Sequence, residues 1–382
     1  MEQYILPWLV PAIWILICSY ALFTFGLAFL WSKLPSPNRQ PAKSGEMISV
    51  VIPVRNEQEN ILFLLKDLEN QSLSYPQFEV LVMNDNSTDN TAALVLNFIN
   101  KTKCNIRLIH LPDVTTASPK KRAIETAVAE SKGNLIVSTD GDCRVGSHWL
   151  QSIAEYYSKT KAKLISGPVT FTKEKSLTDH LQTVEFASLI GSGASSISAG
   201  YPSMCNGANL TYEKSVFYEV GGFDGVRHIA SGDDEFLMHK IAAKYPNDVH
   251  FLKNPQTIVS TKAHQKLSLF FRQRKRWASK WKHYQSKTPL VLALYIFSCN
   301  FSLIASTVLF LTGNIDLSEL GIIWLVKCAP EWLFLGGVLS FLQKPKSIFF
   351  IPITQIIYPF YVCFFGLAAQ KPEYEWKGRK LV

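Results

Sequence analysis

The chain has 382 residues, 47% of them hydrophobic and only 18% charged, with a net charge of +9. It is longer than one average domain and too apolar to be purely soluble. The basic residues gather beside apolar segments, as the positive-inside bias expects, which argues against nucleic acid as a partner; the seven cysteines lack C-x-x-C spacing, which argues against a disulfide framework or a zinc site and suits a reducing, cytosolic face.

No charged residue occurs between Ile5 and Trp31, enough chain to cross a hydrocarbon core that needs roughly 20 residues. No small-residue cleavage site follows, so residues 1–32 read as an N-terminal transmembrane anchor and not a signal peptide. Residues 33–46 are a proline-broken basic linker carrying Lys33, Pro35, Pro37, Arg39, Pro41 and Lys43, which sets this side in the cytosol. A soluble α/β domain is expected over residues 47–262. Ile48–Val54 is a buried strand, closed by Arg55-Asn56-Glu57 before a helix with Ile61, Leu62, Leu64, Leu65 and Leu68 on its core side. Phe78–Met83 repeats the strand, Asn84–Asp89 is dense in capping and turn residues, and a helix starts at Thr91. Ile106–His110 is a third strand, Lys120–Ser131 a helix, and Leu135-Ile136-Val137 a fourth buried strand. Strands alternating with helices of this length predict a mostly parallel, doubly wound sheet.

The fourth strand delivers Asp140-Gly141-Asp142 to the carboxyl edge of that sheet, where ligands of open α/β folds bind. Two carboxylates so close repel unless a cation joins them, and hard oxygen ligands favour Mg²⁺ or Mn²⁺; Gly141 removes a side chain that would crowd an approaching group. Asp85, Asn86 and Asp89 suit a uracil imide or ribose hydroxyls, with helix capping the alternative for Asp89. Lys120, Lys121 and Arg122 open a helix whose dipole favours anions, so they suit a diphosphate; a solvated basic turn accounts equally for Lys121 and Arg122. Thr170–Met204, polar with Gly191, Gly193 and Gly200 among serines, reads as a mobile wall or acceptor-side insertion. Cys205–Leu210 reads as a further strand, and Ser231-Gly232-Asp233-Asp234-Glu235 runs directly into an amphipathic helix. Glu235 serves the helix dipole, while Asp234, crowded by other acids, is the candidate catalytic base.

Residues 263–288 are an amphipathic segment of interfacial composition, with Leu267, Phe270, Phe271, Arg274, Trp277 and Trp281 at helical spacing. Within it Gln273, Arg274, Arg276 and Trp277 offer guanidinium groups for a pyrophosphate and an indole for a sugar ring. Residues 289–369 form the C-terminal transmembrane region. Its second segment carries Lys327 and Glu331 four apart, expected to pair. Residues 370–382 are a basic tail. Three further crossings would leave that tail outside, against the positive-inside bias, so one of the last two segments is expected to be re-entrant or interfacial.

These stretches, VVIPVRNE, VMNDNSTDNT, STDGDC, SGDDEFL and QRKRW, resemble in content and order the family 2 glycosyltransferases, an inverting group with a GT-A fold; the likeness covers about residues 47–281. The resemblance implies that Asp85 touches the uracil and that Pro53, Arg55, Glu57, Lys120 and Asp140 line the nucleotide. It further implies Asp142 at the metal, Asp234 as base, Asp233 beside it, and Gln273, Arg276 and Trp277 as the Q-x-x-R-W box on the donor. Asn84 stands where the family often has aspartate, and Asp233 replaces the usual glutamate. The implied activity is a metal-dependent, inverting transfer of a sugar from a nucleotide diphosphate sugar, UDP-linked, to a lipid or lipid-linked acceptor. It would take place at the cytosolic side of a bacterial inner membrane. A processive polysaccharide synthase is the alternative within enzymes, and a membrane nucleotide-sugar-binding or transport protein the alternative outside them. The enzyme readings require Asp85, Asp142 and Asp234 to share one rim, whereas a nucleotide-binding module without catalysis could dispense with Asp234.

Overall fold

A computed structural model of the chain describes residues 2–36, 45–114, 116–279, 288–368, 374–376 and 379–381. Residues 37–44 of the predicted linker, 280–287 of the basic segment with Trp281, and Lys377-Gly378 of the tail lie outside the described residues. In chain order the elements are α1 (Glu2–Lys33), β1 (Ile48–Val54), α2 (Ile61–Glu69), β2 (Phe78–Asn84), α3 (Thr91–Ile99), β3 (Ile106–His110), α4 (Pro119–Glu130), β4 (Leu135–Ser138) and α5 (Trp149–Thr160). There follow β5 (Leu164–Ser166), β6 (Val169–Phe171), α6 (Leu177–Ser198), β7 (Leu210–Glu213), α7 (Lys214–Glu219), α8 (Asp233–Lys244), β8 (Val249–Phe251) and β9 (Val259–Thr261). The chain continues with α9 (Leu267–Ser279), α10 (Thr288–Leu311), α11 (Leu317–Phe341), α12 (Ile351–Ala368), β10 (Tyr374–Trp376) and β11 (Arg379–Leu381). Two compact units result: a sheet unit of residues 34–173, 196–263 and 373–382, and a helical unit of residues 1–33, 174–195 and 264–372.

The sheet unit is built on seven strands in the order β3-β2-β1-β4-β7-β5-β8. Its first four strands are mutually parallel, and β5 and β8 are parallel to each other. The sheet departs from the predicted pattern at β7, which is antiparallel to both β4 and β5 and begins only at Leu210, because Gly207–Asn209 of the expected Cys205–Leu210 strand form a 3₁₀ turn capped by the Asn206 side chain. Val50, Val51, Ile52, Val80, Leu81 and Val82 are fully buried, the reason these strands read as unbroken apolar runs: helices cover both faces. The register pairs Val54 with Asn84 and Val51 with Ser138, so the chain leaves β1, β2 and β4 side by side at one edge. That shared exit is what gathers distant acids.

In the helical unit four helices are long and apolar enough to cross a membrane: Trp8–Lys33, Pro289–Leu311, Leu317–Phe341 and Pro345–Gly366. Ile13, Ile17, Leu303 and Ile323 form an apolar cluster that joins α1, α10 and α11. The segment read as a mobile insertion forms α6 instead. Its small residues permit close helix contact: a Cβ on Gly191 would lie 2.7 Å from Val338 Cγ2 and 2.8 Å from Phe334 Cζ, and the Ser195 hydroxyl donates to the Leu27 carbonyl at 3.0 Å. Serine and glycine signalled packing here, not a loop.

The predicted Lys327–Glu331 pair forms within α11 at 2.9 Å, with Lys327 fully buried. Tyr20 donates to Glu331 at 2.5 Å and Gln355 at 3.1 Å, which ties α1 and α12 to the same carboxylate. Removing one partner of a buried pair leaves an uncompensated charge, so Lys327→Met is expected to cost about 3 kcal/mol, or a thermal midpoint about 5 °C lower in detergent. Lys327→Met combined with Glu331→Leu should recover most of that loss. A single variant as stable as the parent would deny the pair a structural role.

Candidate active site

Every acidic candidate of the sheet unit lies at the edge where β1, β2 and β4 end. After β1, the Arg55 guanidinium donates to the backbone carbonyls of Asp85 (2.7 Å) and Asn86 (2.8 Å), fastening the β2 loop to the β1 loop. Asp85 is buried, and its Oδ1 accepts from Arg122 at 2.8 Å. Asn84, where an aspartate was expected, accepts from the Ser87 amide at 3.2 Å and so holds the turn. Asp89, one residue before the N-cap Asn90, braces the start of α3: it accepts from the Thr91 amide (3.0 Å) and hydroxyl (2.5 Å) and from the Gln58 amide (3.1 Å). Burial alone would raise its carboxyl, yet those hydrogen bonds take it below the usual carboxylate range.

Gly141 has a tighter duty than leaving room for a ligand. A Cβ there would sit 2.9 Å from Val54 Cγ1 and 3.1 Å from Glu57 Cγ, so the D-G-D loop lies directly against the β1 exit. Pro53 is half-buried in β1 beside it, and Glu57, itself buried, accepts from Asn60 at 2.8 Å. Gly141→Ala is therefore expected to push Asp140 and Asp142 off the rim and cut transfer about 100-fold, since misplacement near 1 Å has that cost. Unchanged kcat in this variant would show that the loop tolerates displacement.

Lys120 joins the two acidic motifs. Its ammonium pairs with Asp140 at 2.7 Å and Asp233 at 3.2 Å. Burial by itself would lower this group, but the Asp140 and Asp233 carboxylates outweigh it and hold it well above the usual lysine range, so it stays charged. Gly207, in a turn before β7, marks the meeting point: a Cβ there would lie 3.1 Å from Asp233 Oδ2, 3.3 Å from Lys120 Nζ and 3.5 Å from Asp234 Cβ. Asp234 Oδ2 accepts from the Gly207 amide at 3.0 Å and its Oδ1 from the Glu235 amide at 2.8 Å, which orients the carboxylate in the first turn of α8. Asp142 is half-buried next to Cys143, whose thiol lies 3.8 Å from its Oδ1. Among the described residues no three His, Cys, Asp or Glu side chains converge as a ready-made metal cage. Asp140 and Asp142 are nonetheless hard oxygen donors of the kind Mg²⁺ and Mn²⁺ take, and a diphosphate with water can complete such a ligand set.

Lys121 and Arg122 are not a solvated turn: Lys121 is buried and donates to three loop carbonyls, and Arg122 holds Asp85. Sequence reading also missed Asp67, which accepts from the Arg144 guanidinium at 2.5 and 2.7 Å and from the Val145 amide at 3.2 Å, anchoring the chain just past the D-G-D. Nothing local marked that contact, because its partners are far apart in sequence. Gln273, Arg276 and Trp277 belong to α9 of the helical unit, where Trp277 lies 6.2 Å from the Phe186 ring. The buried member of that basic run is Arg274, paired with Glu185, 4.3 Å from the Trp277 ring and next to Gln273, to which it donates at 2.6 Å. Its place on the apolar face of α9 is explained by that partner.

Comparison with known proteins adds a family to this geometry. A family model described as glycosyl transferase family 21 matches residues 12–382. The chain is similar to the glycosyltransferase AglE of Haloferax volcanii, 29% identical over 187 residues, which is 49% of this chain and 58% of that protein. It is also similar to the poly-beta-1,6-N-acetyl-D-glucosamine synthase of Staphylococcus epidermidis, 26% identical over 213 residues, which is 55% of this chain and 49% of that one. The chain thus spans about half the length of the curated relatives it matches. Among solved structures, the mannosyltransferase PcManGT from Pyrobaculum calidifontis in complex with GDP-Man and Mn²⁺ superposes with a TM-score of 0.59 at 15% identity, covering 92% of this chain and 99% of that one, a likeness of fold.

Proposed function

The chain belongs to glycosyl transferase family 21, and on that premise we propose a metal-dependent, inverting transfer of a sugar from a UDP-linked donor to a lipid or lipid-linked acceptor at the cytosolic face of a membrane. The GT-A fold and family 2-type membership make it a glycosyltransferase; the finer terms rest on the site's chemistry. The observation that carries the reading is the Lys120 bridge from Asp140 to Asp233, because it brings the D-G-D motif and the acid-rich start of α8 to one point.

In this reading Asp85 and Arg55 serve the base of the nucleotide, with Pro53 and Glu57 beside them, and Lys120 and Asp140 serve its phosphates and ribose. Asp140 and Asp142 would hold Mg²⁺ or Mn²⁺, which supplies charge neutralisation for the departing diphosphate. Asp234 accepts the proton of the acceptor hydroxyl as its oxygen bonds to the anomeric carbon. The bond from that carbon to the diphosphate oxygen breaks, the electron pair leaves with the nucleotide, and a single displacement inverts the centre. Four membrane-length helices in the same chain favour an acceptor presented by the bilayer, and the basic flank at Lys33 favours the cytosolic side.

The test is a hydrolysis and transfer screen of purified full-length protein against a panel of nucleotide sugars with Mn²⁺ or Mg²⁺. Release of UDP from one UDP-sugar, with an inverted product anomer by NMR, is expected; release from none of the panel would overturn the reading. The similarity to a polysaccharide synthase favours processive transfer as a second reading. Product length separates the two: one added sugar per acceptor, or a ladder.

A further inference from the structure

The loop before α8 is rich in left-handed glycine: φ is 70° at Gly221, 44° at Gly222, 77° at Gly225 and 79° at Gly232. Glycine permits these turns and also gives the unfolded loop the most freedom to lose, so the segment needs external ties to present α8 in one place. Those ties converge from α4. The Lys121 ammonium, in a side chain 1% exposed, donates to the carbonyls of Val226 (2.9 Å), Ile229 (2.5 Å) and Ser231 (3.0 Å). It also lies 5.1 Å from the Phe236 ring centroid, in the same helical turn as Asp234. One turn earlier the Ser118 hydroxyl donates to the Arg227 carbonyl at 2.6 Å, and Glu125 of α4 pairs with Arg227 at 2.8 Å. From the other side Lys240 of α8 donates to the carbonyls of Gly222 (2.9 Å) and Asp224 (2.8 Å).

A buried ammonium is costly unless its three donors are used, and here one loop uses all three. An apolar side chain would fill the same space without holding any carbonyl. The neighbouring basic residues reach further loops: Lys120 joins Asp140 of the D-G-D loop to Asp233 at the start of α8, and Arg122 holds Asp85. Three consecutive residues at the start of α4 therefore fasten three separate loops of the rim.

We infer that Lys121 is a positioning residue for the transfer reaction: through the carbonyls of residues 226–231 and the Phe236 ring it sets the first turn of α8, and with it the Asp234 carboxylate. It does not touch substrate. The inference rests on the proposed role of Asp234 as base.

The test compares Lys121→Met, which keeps the stem and removes the donors, with Lys121→Arg, which keeps donors, in the full-length protein. Steady-state kinetics with the hydrolysed nucleotide sugar and amide hydrogen exchange are both read. Lys121→Met is expected to lower kcat about 30-fold with donor KM within about threefold of the parent, because donor loops keep their own anchors. Exchange should quicken across 226–236 while 84–89 and 135–142 stay protected. Lys121→Arg should restore kcat to within about fivefold. Unchanged kcat, or equal loosening of all three loops with kcat and KM degrading together, would overturn the inference. If Lys121→Met yields no folded protein, Ser118→Ala takes its place. A fall in kcat of about threefold with donor KM kept and faster exchange at 226–236 is then expected, and parental kcat and exchange would overturn it. Asp234→Asn is measured in parallel. If that variant keeps turnover, the base assignment fails, whereas the exchange data still report whether Lys121 holds the loop.

Discussion

Asp234→Asn is expected to lower kcat by about three to four orders of magnitude while donor affinity stays within a few-fold of the parent. The carboxylate is oriented by two backbone amides, Gly207 to one oxygen and Glu235 to the other, so both oxygens are fixed in place. Asparagine keeps the volume and can still accept from one of those amides, but it takes up no proton. Donor binding should survive because Lys120 keeps Asp140 and Asp233 and because Asp85 keeps Arg122. Turnover in the presence of saturating acceptor, with donor affinity from calorimetry, separates the two effects. Near-parental turnover would remove Asp234 from the mechanism, and lost donor affinity would mean that the substitution moved α8.

Removing divalent ions is expected to abolish transfer, and Asp142→Asn to lower the metal-supported rate by about two orders of magnitude or more. A nucleotide diphosphate is a poor leaving group until its charge is neutralised. Lys120 already shares its single charge between two carboxylates, so it cannot supply that neutralisation alone. Asp142, on the same loop and half-buried, is the second hard-oxygen donor of the D-G-D, of the kind such a cation takes. Activity is measured after exhaustive chelation and again after Mn²⁺ or Mg²⁺ is returned. A fully active chelated enzyme would leave Lys120 as the working cation of the site and refute the metal assignment.

Much of this was legible without coordinates. The largely apolar runs at 48–54, 78–84 and 135–138 suit strands buried between two layers of helices, and uncharged stretches long enough to cross a bilayer have few other stable fates. Hence the α/β sheet unit, the four membrane-length helices and the position of Asp85, Asp140, Asp142 and Asp234 after strands or at a helix start followed from composition and order alone. The Lys327–Glu331 pair was also visible, because four residues is one helical turn.

What only the tertiary structure decided are contacts between residues distant along the chain. Sequence could not tell that Gly141 abuts Val54 and Glu57, that Arg122 belongs to Asp85, that Lys121 faces inward to the 226–231 carbonyls, or that the glycines and serines of 177–198 line a helix and not a loop. A basic or small residue has the same local preferences whether it meets water, a ligand or a buried partner. The partner is chosen by packing, and packing is a property of the folded chain.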